Sequence, residues 1–128
     1  PPASRGTETI LLAEDDDLVR ALAVRLIGAE GYRLLVAEDG EAAVELLREQ
    51  GAEIDLLLLD VVMPKLSGPE VEGYAATLAP RAKVLFITGY AALERHERFE
   101  GDRPFNVISK PYTRAALLQK IREVLDAR

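Results

Sequence analysis

Five short apolar runs alternate with longer amphipathic stretches along this chain, and each of the five stops on a charged or hydroxyl residue. The first run is TILLA at residues 9–13, ending at Glu14, Asp15, Asp16 and Asp17; the second is RLLVA at 33–37. The third, at 54–59, holds five apolar residues without a period of two, as expected of a strand buried on both faces, and ends at Asp60. KVLFIT at 83–88 ends on Thr88, and a short run at 106–109 ends on Lys110-Pro111. Between them, residues 18–29 form an apolar stripe at 18, 22, 26 and 29, with 19 and 27 beside it. Gly31 closes that segment. Asp39 caps a helix over 41–49 that ends at Gly51, and Pro69 is placed as the first residue of a helix reaching about Leu78. A weaker polar helix is predicted at 91–100, and Thr113 caps a last helix with Leu117, Leu118, Ile121, Val124 and Leu125 on one face. Strands alternating with helices imply a parallel sheet covered on both sides, an α/β doubly wound fold. Residues 1–7 (PPASRGT) read as a linker or an expression remnant, and 8–128 as one domain.

Such a sheet binds ligands beyond the carboxyl ends of its strands, so the residues standing there carry the functional question. Three carboxylates (Glu14, Asp15, Asp60), the Thr88 hydroxyl and the Lys110 ammonium are expected to share one pocket. Two carboxylate charges about 4 Å apart repel by about 4 kcal/mol at an effective dielectric near 20. A hard divalent cation resolves that repulsion, and an all-oxygen, partly hydrated site favours Mg2+ over zinc. The chain has no cysteine and a single histidine, His96, which sets aside thiolate chemistry, disulfides and multi-histidine metal sites. Mg2+ would offset the charge of an incoming phosphoryl group, Lys110 and Thr88 would hold its oxygens, and Asp60 would serve as nucleophile through an acyl phosphate.

Four segments, ILLAEDDDLVR, LLLLDVVMPKLSG, VLFITGY and ISKPY, resemble in order and spacing the receiver domain of two-component response regulators. The resemblance covers about residues 9–125, and GTETILLAEDD, EGYRLLVAEDGEAAVELL, DVVMP and TGYA are most like receivers at the C-terminal end of hybrid sensor histidine kinases. It implies a flavodoxin-like (βα)5 fold with strand order 2-1-3-4-5. It also implies Asp60 as phosphoacceptor from a phosphohistidine, and Mg2+ on Asp15, Asp60, the backbone carbonyl of Val62 and, through water, Glu14. Thr88 and Lys110 take the roles of switch hydroxyl and phosphoryl-binding lysine, and Lys110-Pro111 is the bond such domains hold in cis. The implied partners are a histidine kinase or a histidine phosphotransfer domain, and the implied state is a cytoplasmic monomer or weak homodimer that catalyses only its own phosphorylation and dephosphorylation.

Two departures stand out. Val107 occupies the place three before the lysine where the family carries an aromatic ring, with Phe105 two residues earlier. In the family the side chains two residues beyond the acceptor and the switch hydroxyl help or hinder the hydrolytic water. Val62 and Tyr90 stand there and are neither acids nor amides, so the resemblance implies slow loss of the phosphoryl group.

Competing classes fare worse. A Mg2+-dependent phosphohydrolase wants a second carboxylate two residues past its nucleophile, where Val62 stands. No glycine-rich phosphate loop follows the first run, which counts against a nucleotide or flavin module. A degenerate receiver that only binds protein is disfavoured because all five pocket positions carry suitable chemistry. With 16 basic against 22 acidic residues, the net charge of −6 argues against nucleic acid or an anionic membrane as partner. No apolar run is long enough to span a bilayer, and no signal peptide is visible.

Overall fold

The computed structural model describes residues 6–89 and 106–127. Five strands form one parallel sheet: β1 (Thr9–Ala13), β2 (Arg33–Ala37), β3 (Leu56–Asp60), β4 (Lys83–Thr88) and β5 (Asn106–Ser109), in the order β2-β1-β3-β4-β5. The described helices are α1 (Asp17–Gly28), α2 (Gly40–Gln50), α3 (Gly68–Leu78) and α4 (Arg114–Asp126). The expected helix at 91–100 lies outside the described residues, as do Tyr90, His96 and Phe105.

Alternation along the strands builds two cores. Leu57, Leu59 and Phe86 face α2 and α3, whereas Leu56, Leu58, Leu85 and Ile87 face α1 and α4. All five β3 residues are buried, which explains why that run has no polar alternation. Each leucine so enclosed contributes about 1.5–3 kcal/mol relative to exposure.

Each described α-helix opens on its own capping side chain. Asp16 accepts from the Leu18 and Val19 amides, Asp39 from Ala42, Ser67 from Glu70 and Thr113 from Ala116. At α3 the cap is a full Ser67–Glu70 capping box, a stronger start signal than Pro69 alone. Gly31, at φ 98°, turns the chain after α1 in a conformation that glycine adopts without cost.

Two expectations are corrected. The third run enters the sheet at Leu56, because Gly51–Glu53 forms a 3-10 turn and the buried Ile54 lies before the strand. The buried line of α1 is Ala23 and Ile27, with Val24 and Leu26 packed alongside, whereas Leu18 and Leu22 are 83% and 52% exposed. Apolar residues spread over most of this helix, so periodicity alone admits two faces, and contact with the sheet selects 23 and 27.

At the amino ends of the strands, Arg122 of α4 gathers the chain. Its guanidinium donates to both Glu8 carboxylate oxygens, to the Tyr32 hydroxyl and to Asp126. That contact holds the Glu8 carboxyl below the usual carboxylate range. Lys83, at the start of β4, donates to the Leu125 and Ala127 carbonyls at the end of α4.

Candidate functional site

Sheet register brings the polar residues together at the opposite end. Ala13 pairs with Leu59, so Glu14 follows β1 next to Asp60, the last residue of β3. Asp60 pairs with Ile87, and Thr88 with Ser109, which places Thr88 at the end of β4 and Lys110 directly after β5. The Lys110 amide continues the ladder by donating to the Thr88 carbonyl at 2.7 Å, and the Lys110-Pro111 peptide is cis.

One carboxylate oxygen from each of Glu14, Asp15 and Asp60 lies within 4.8 Å of the others. Glu14 and Asp60 are buried, whereas Asp15 is exposed at the mouth. The Lys110 ammonium stands 2.9 Å from Glu14 Oε1 and 3.0 Å from Asp60 Oδ2. The contact to Glu14 is an ion pair without hydrogen-bond angles, since Oε1 has no hydrogen-bond partner among the described residues. The Val62 amide donates to Asp60 Oδ1 at 3.3 Å, and the Asp16 amide to Glu14 Oε2 at 3.1 Å. Thr88 is buried, and its hydroxyl likewise lacks a hydrogen-bond partner among the described residues. An unmet buried hydroxyl is costly, which fits a group kept for a ligand.

Burial pushes the Asp60 carboxyl up to about 7, reinforced by the neighbouring Glu14 carboxylate and opposed by Lys110. Burial works against the Lys110 ammonium, yet Glu14 and Asp60 hold it above its ordinary range. Burial, with Glu14 adding to it, also raises the Tyr112 phenol. The pocket is therefore short of positive charge: one ammonium faces three acids.

Backbone packing fixes the carboxyl end of β3. A Cβ on Gly68 would stand 2.6 Å from the Asp60 carbonyl oxygen and 3.1 Å from the Val61 Cα, and the Gly68 amide donates to the Val61 carbonyl. Only glycine lets the start of α3 approach the Asp60 backbone so closely. Lys65, in the same loop at φ 71°, pairs with Asp39 at 3.5 Å and with Glu41.

The expected set of Glu14, Asp15, Asp60, Thr88 and Lys110 therefore stands along the carboxyl ends of adjacent strands. Val62 contributes its amide to Asp60 while its side chain is 48% exposed. Val107 is half-buried and packs against the core under α2 and α3. Two contributors were not foreseen. Gly68 is one, and Arg20 is the other: its guanidinium donates to the Glu14 carbonyl at 3.0 Å and to Asp17 Oδ1 at 2.6 Å. The spacing of Asp17 and Arg20 by three on a helix was the available signal for the second.

A parallel five-stranded sheet in this order, with acids and a lysine at its carboxyl edge, defines a receiver of two-component signalling. The chain belongs to the response regulator receiver domain family, whose profile matches residues 10–122. It is 34% identical over 121 residues to the sensor kinase CckA of Brucella abortus (strain 2308), covering 94% of this chain and 13% of the kinase. It is 36% identical over 118 residues to the response regulator receiver protein CpdR of the same organism, covering 92% of this chain and 97% of CpdR. Among solved structures, the receiver domain of the hybrid histidine kinase CckA superposes with a TM-score of 0.79 at 33% identity, covering 92% of this chain and 99% of that one. The similarity thus extends both to a receiver within a long kinase and to one that makes up nearly a whole protein. Among the described residues, no helix is long and apolar enough to cross a membrane.

Proposed function

We propose that this domain takes a phosphoryl group from a phosphohistidine onto Asp60 and changes conformation in response. The observation that carries this reading is the meeting of three carboxylates within 4.8 Å, with Asp60 bound to Lys110. Asp60 would attack with one carboxylate oxygen; the new O–P bond forms as the P–N bond to imidazole breaks, and the imidazole nitrogen keeps the electron pair. Lys110 would leave Glu14 to neutralise a phosphoryl oxygen, and the Thr88 hydroxyl, which has no hydrogen-bond partner among the described residues, would donate to another. Asp15, Asp60, the Val62 carbonyl and, through water, Glu14 would hold Mg2+, an assignment that fits an all-oxygen donor set with surplus negative charge. The ion supplies the charge compensation that lets two anions meet. The phosphorylated state would be selected by the contacts that Thr88 and Lys110 make only there, a population shift. Self-phosphorylation and slow hydrolysis, rather than turnover of an external substrate, belong to the same reading.

The donor would be a histidine kinase or a histidine phosphotransfer domain, in a cytoplasmic setting, with the receiver a monomer or weak homodimer. Leu18 and Leu22 are exposed on the opening turns of α1, beside the acidic loop, and Val62 is exposed beside Asp60. This apolar rim suits a partner that delivers its histidine to the pocket. Replacing Leu18 with aspartate should slow transfer from the cognate phosphohistidine protein about tenfold, as expected for an interface anchor, and leave stability within about 0.5 kcal/mol. Labelling by a small acyl phosphate should not change. Equal slowing with both donors would place Leu18 in the chemistry instead of the docking rim.

A pH dependence follows from Asp60. Its folded pKa, about 7, exceeds its ordinary value, so its contribution to stability is complete below about pH 4 and is lost as pH rises through 7. Without Mg2+, the melting temperature should therefore fall across that window. Mg2+ needs the ionised carboxylate, so its affinity should rise up to about tenfold per pH unit below 7 and level off above. Calorimetric titration at several pH values checks this; a pH-independent affinity between 5.5 and 8 would contradict it. Titration with a beryllofluoride phosphoryl analogue separates this function from a receiver that only binds protein.

A further inference from the structure

Asp15 is exposed and makes no hydrogen bond or ion pair among the described residues, although its carboxylate oxygen lies within 4.8 Å of those of Glu14 and Asp60. Its direction is therefore set by the backbone on either side. Both flanking peptide groups are pinned. The carbonyl of the 14–15 peptide accepts from Arg20 Nη1 at 3.0 Å, and the N–H of the 15–16 peptide donates to Glu14 Oε2 at 3.1 Å. Fixing the two peptide planes around one Cα fixes its φ and ψ, and with them the direction of the Cα–Cβ bond.

The Arg20 grip is braced at its other end. Nη2 donates to Asp17 Oδ1 at 2.6 Å, and the Arg20 amide donates to the Asp16 carbonyl at 2.8 Å. A planar guanidinium spans a carbonyl and a carboxylate at once, whereas an ammonium is a point charge without that fork. Its side chain is only 20% exposed, so the contact is partly shielded from water.

We propose that Arg20 is a positioning residue for Mg2+ binding: it clamps the 14–15 peptide so that Asp15 points into the carboxylate cluster. This rests on the function proposed above, and acts on metal affinity, not on the phosphoryl step. Loss of an outer contact that orients a metal ligand typically weakens metal binding by about 10–100-fold. Arg20→Met should fall near the lower end, about tenfold, because the second clamp from Glu14 remains. Arg20→Lys should recover part of that loss only. The α1 start survives in both variants, because its cap is Asp16 and the Arg20 amide is unchanged.

The experiment is calorimetric Mg2+ titration of the wild type, Arg20→Met, Arg20→Lys, Asp15→Asn and the Arg20→Met/Asp15→Asn pair. Labelling by acetyl phosphate at saturating Mg2+ is followed in parallel on phosphate-affinity gels. The expected result is weaker Mg2+ binding in both arginine variants, near-wild-type labelling once Mg2+ saturates, and no further loss when Arg20→Met is added to Asp15→Asn. Unchanged affinity in Arg20→Met would overturn the proposal. Full recovery in Arg20→Lys would show that charge and not placement matters, and an undiminished Arg20→Met effect in the Asp15→Asn chain would show that Arg20 does not act through Asp15. A wild type that neither binds Mg2+ nor takes label would remove the underlying function, and this role with it; the wild-type titration alone reveals that case.

Discussion

Asp60→Asn should abolish phosphoryl uptake from every donor and at the same time make the Mg2+-free protein more stable above neutral pH. The loss of uptake follows because an amide oxygen is a poor nucleophile, and among the described residues Asp60 is the carboxylate to which Lys110 donates a hydrogen bond, at 3.0 Å. The gain in stability follows from the sign of the Asp60 shift. Burial and Glu14 make its ionised form costly in the folded state, so above pH 7 the carboxylate opposes folding. Removing the charge should recover on the order of 2–4 kcal/mol at pH 8, reduced by the lost ion pair with Lys110. The amide keeps the oxygen that accepts from the Val62 N–H, so the loop retains its geometry. Melting curves at pH 5 and pH 8, with gel-shift labelling by acetyl phosphate, read both effects. Label at the wild-type level would move the acceptor elsewhere, and a variant less stable than the wild type at pH 8 would reverse the electrostatic account.

The second large effect is expected at Lys110. Its ammonium is the one cation that the described contacts place between Glu14 and Asp60. Lys110→Met leaves two buried acids facing each other, and breaking a buried charge pair costs about 3–5 kcal/mol when the remaining charge has no partner. Protonation of Asp60 limits that cost near pH 6, so the loss should be largest at pH 8 and above. Mg2+ should then stabilise the variant more than it stabilises the wild type, because the cluster has lost its internal cation. Thermal shifts on Mg2+ addition, compared between the two proteins, test this. An equal shift in both would mean that lysine and metal do not answer the same charge.

Much of this was legible in the sequence for a physical reason. A strand buried on both faces must be apolar until it leaves the sheet, so the first polar residue after LLLL could only be an end residue, and Asp60 declared its place. Lys110 did the same, because proline after it stops the ladder. The burial of α1 was not legible in that way. Leu18 and Leu22 read as core by period, yet a helix with apolar residues on several faces does not say which one meets the sheet. The 3-10 turn at Gly51–Glu53 was hidden because Ile54 looks like the first residue of its strand. Arg20 was invisible in its role, since what it holds is a backbone carbonyl, and backbone carries no letter in the sequence.

The Arg122 clasp has a mechanical consequence. It ties the lead-in to β1, the start of β2 and the end of α4 at the edge of the sheet farthest from the acids. One side chain joins three elements that are far apart in the sequence, at the edge where their strands and helix meet. The domain is thus built like a hand with a fixed palm, its grip set at the edge of the sheet opposite the pocket.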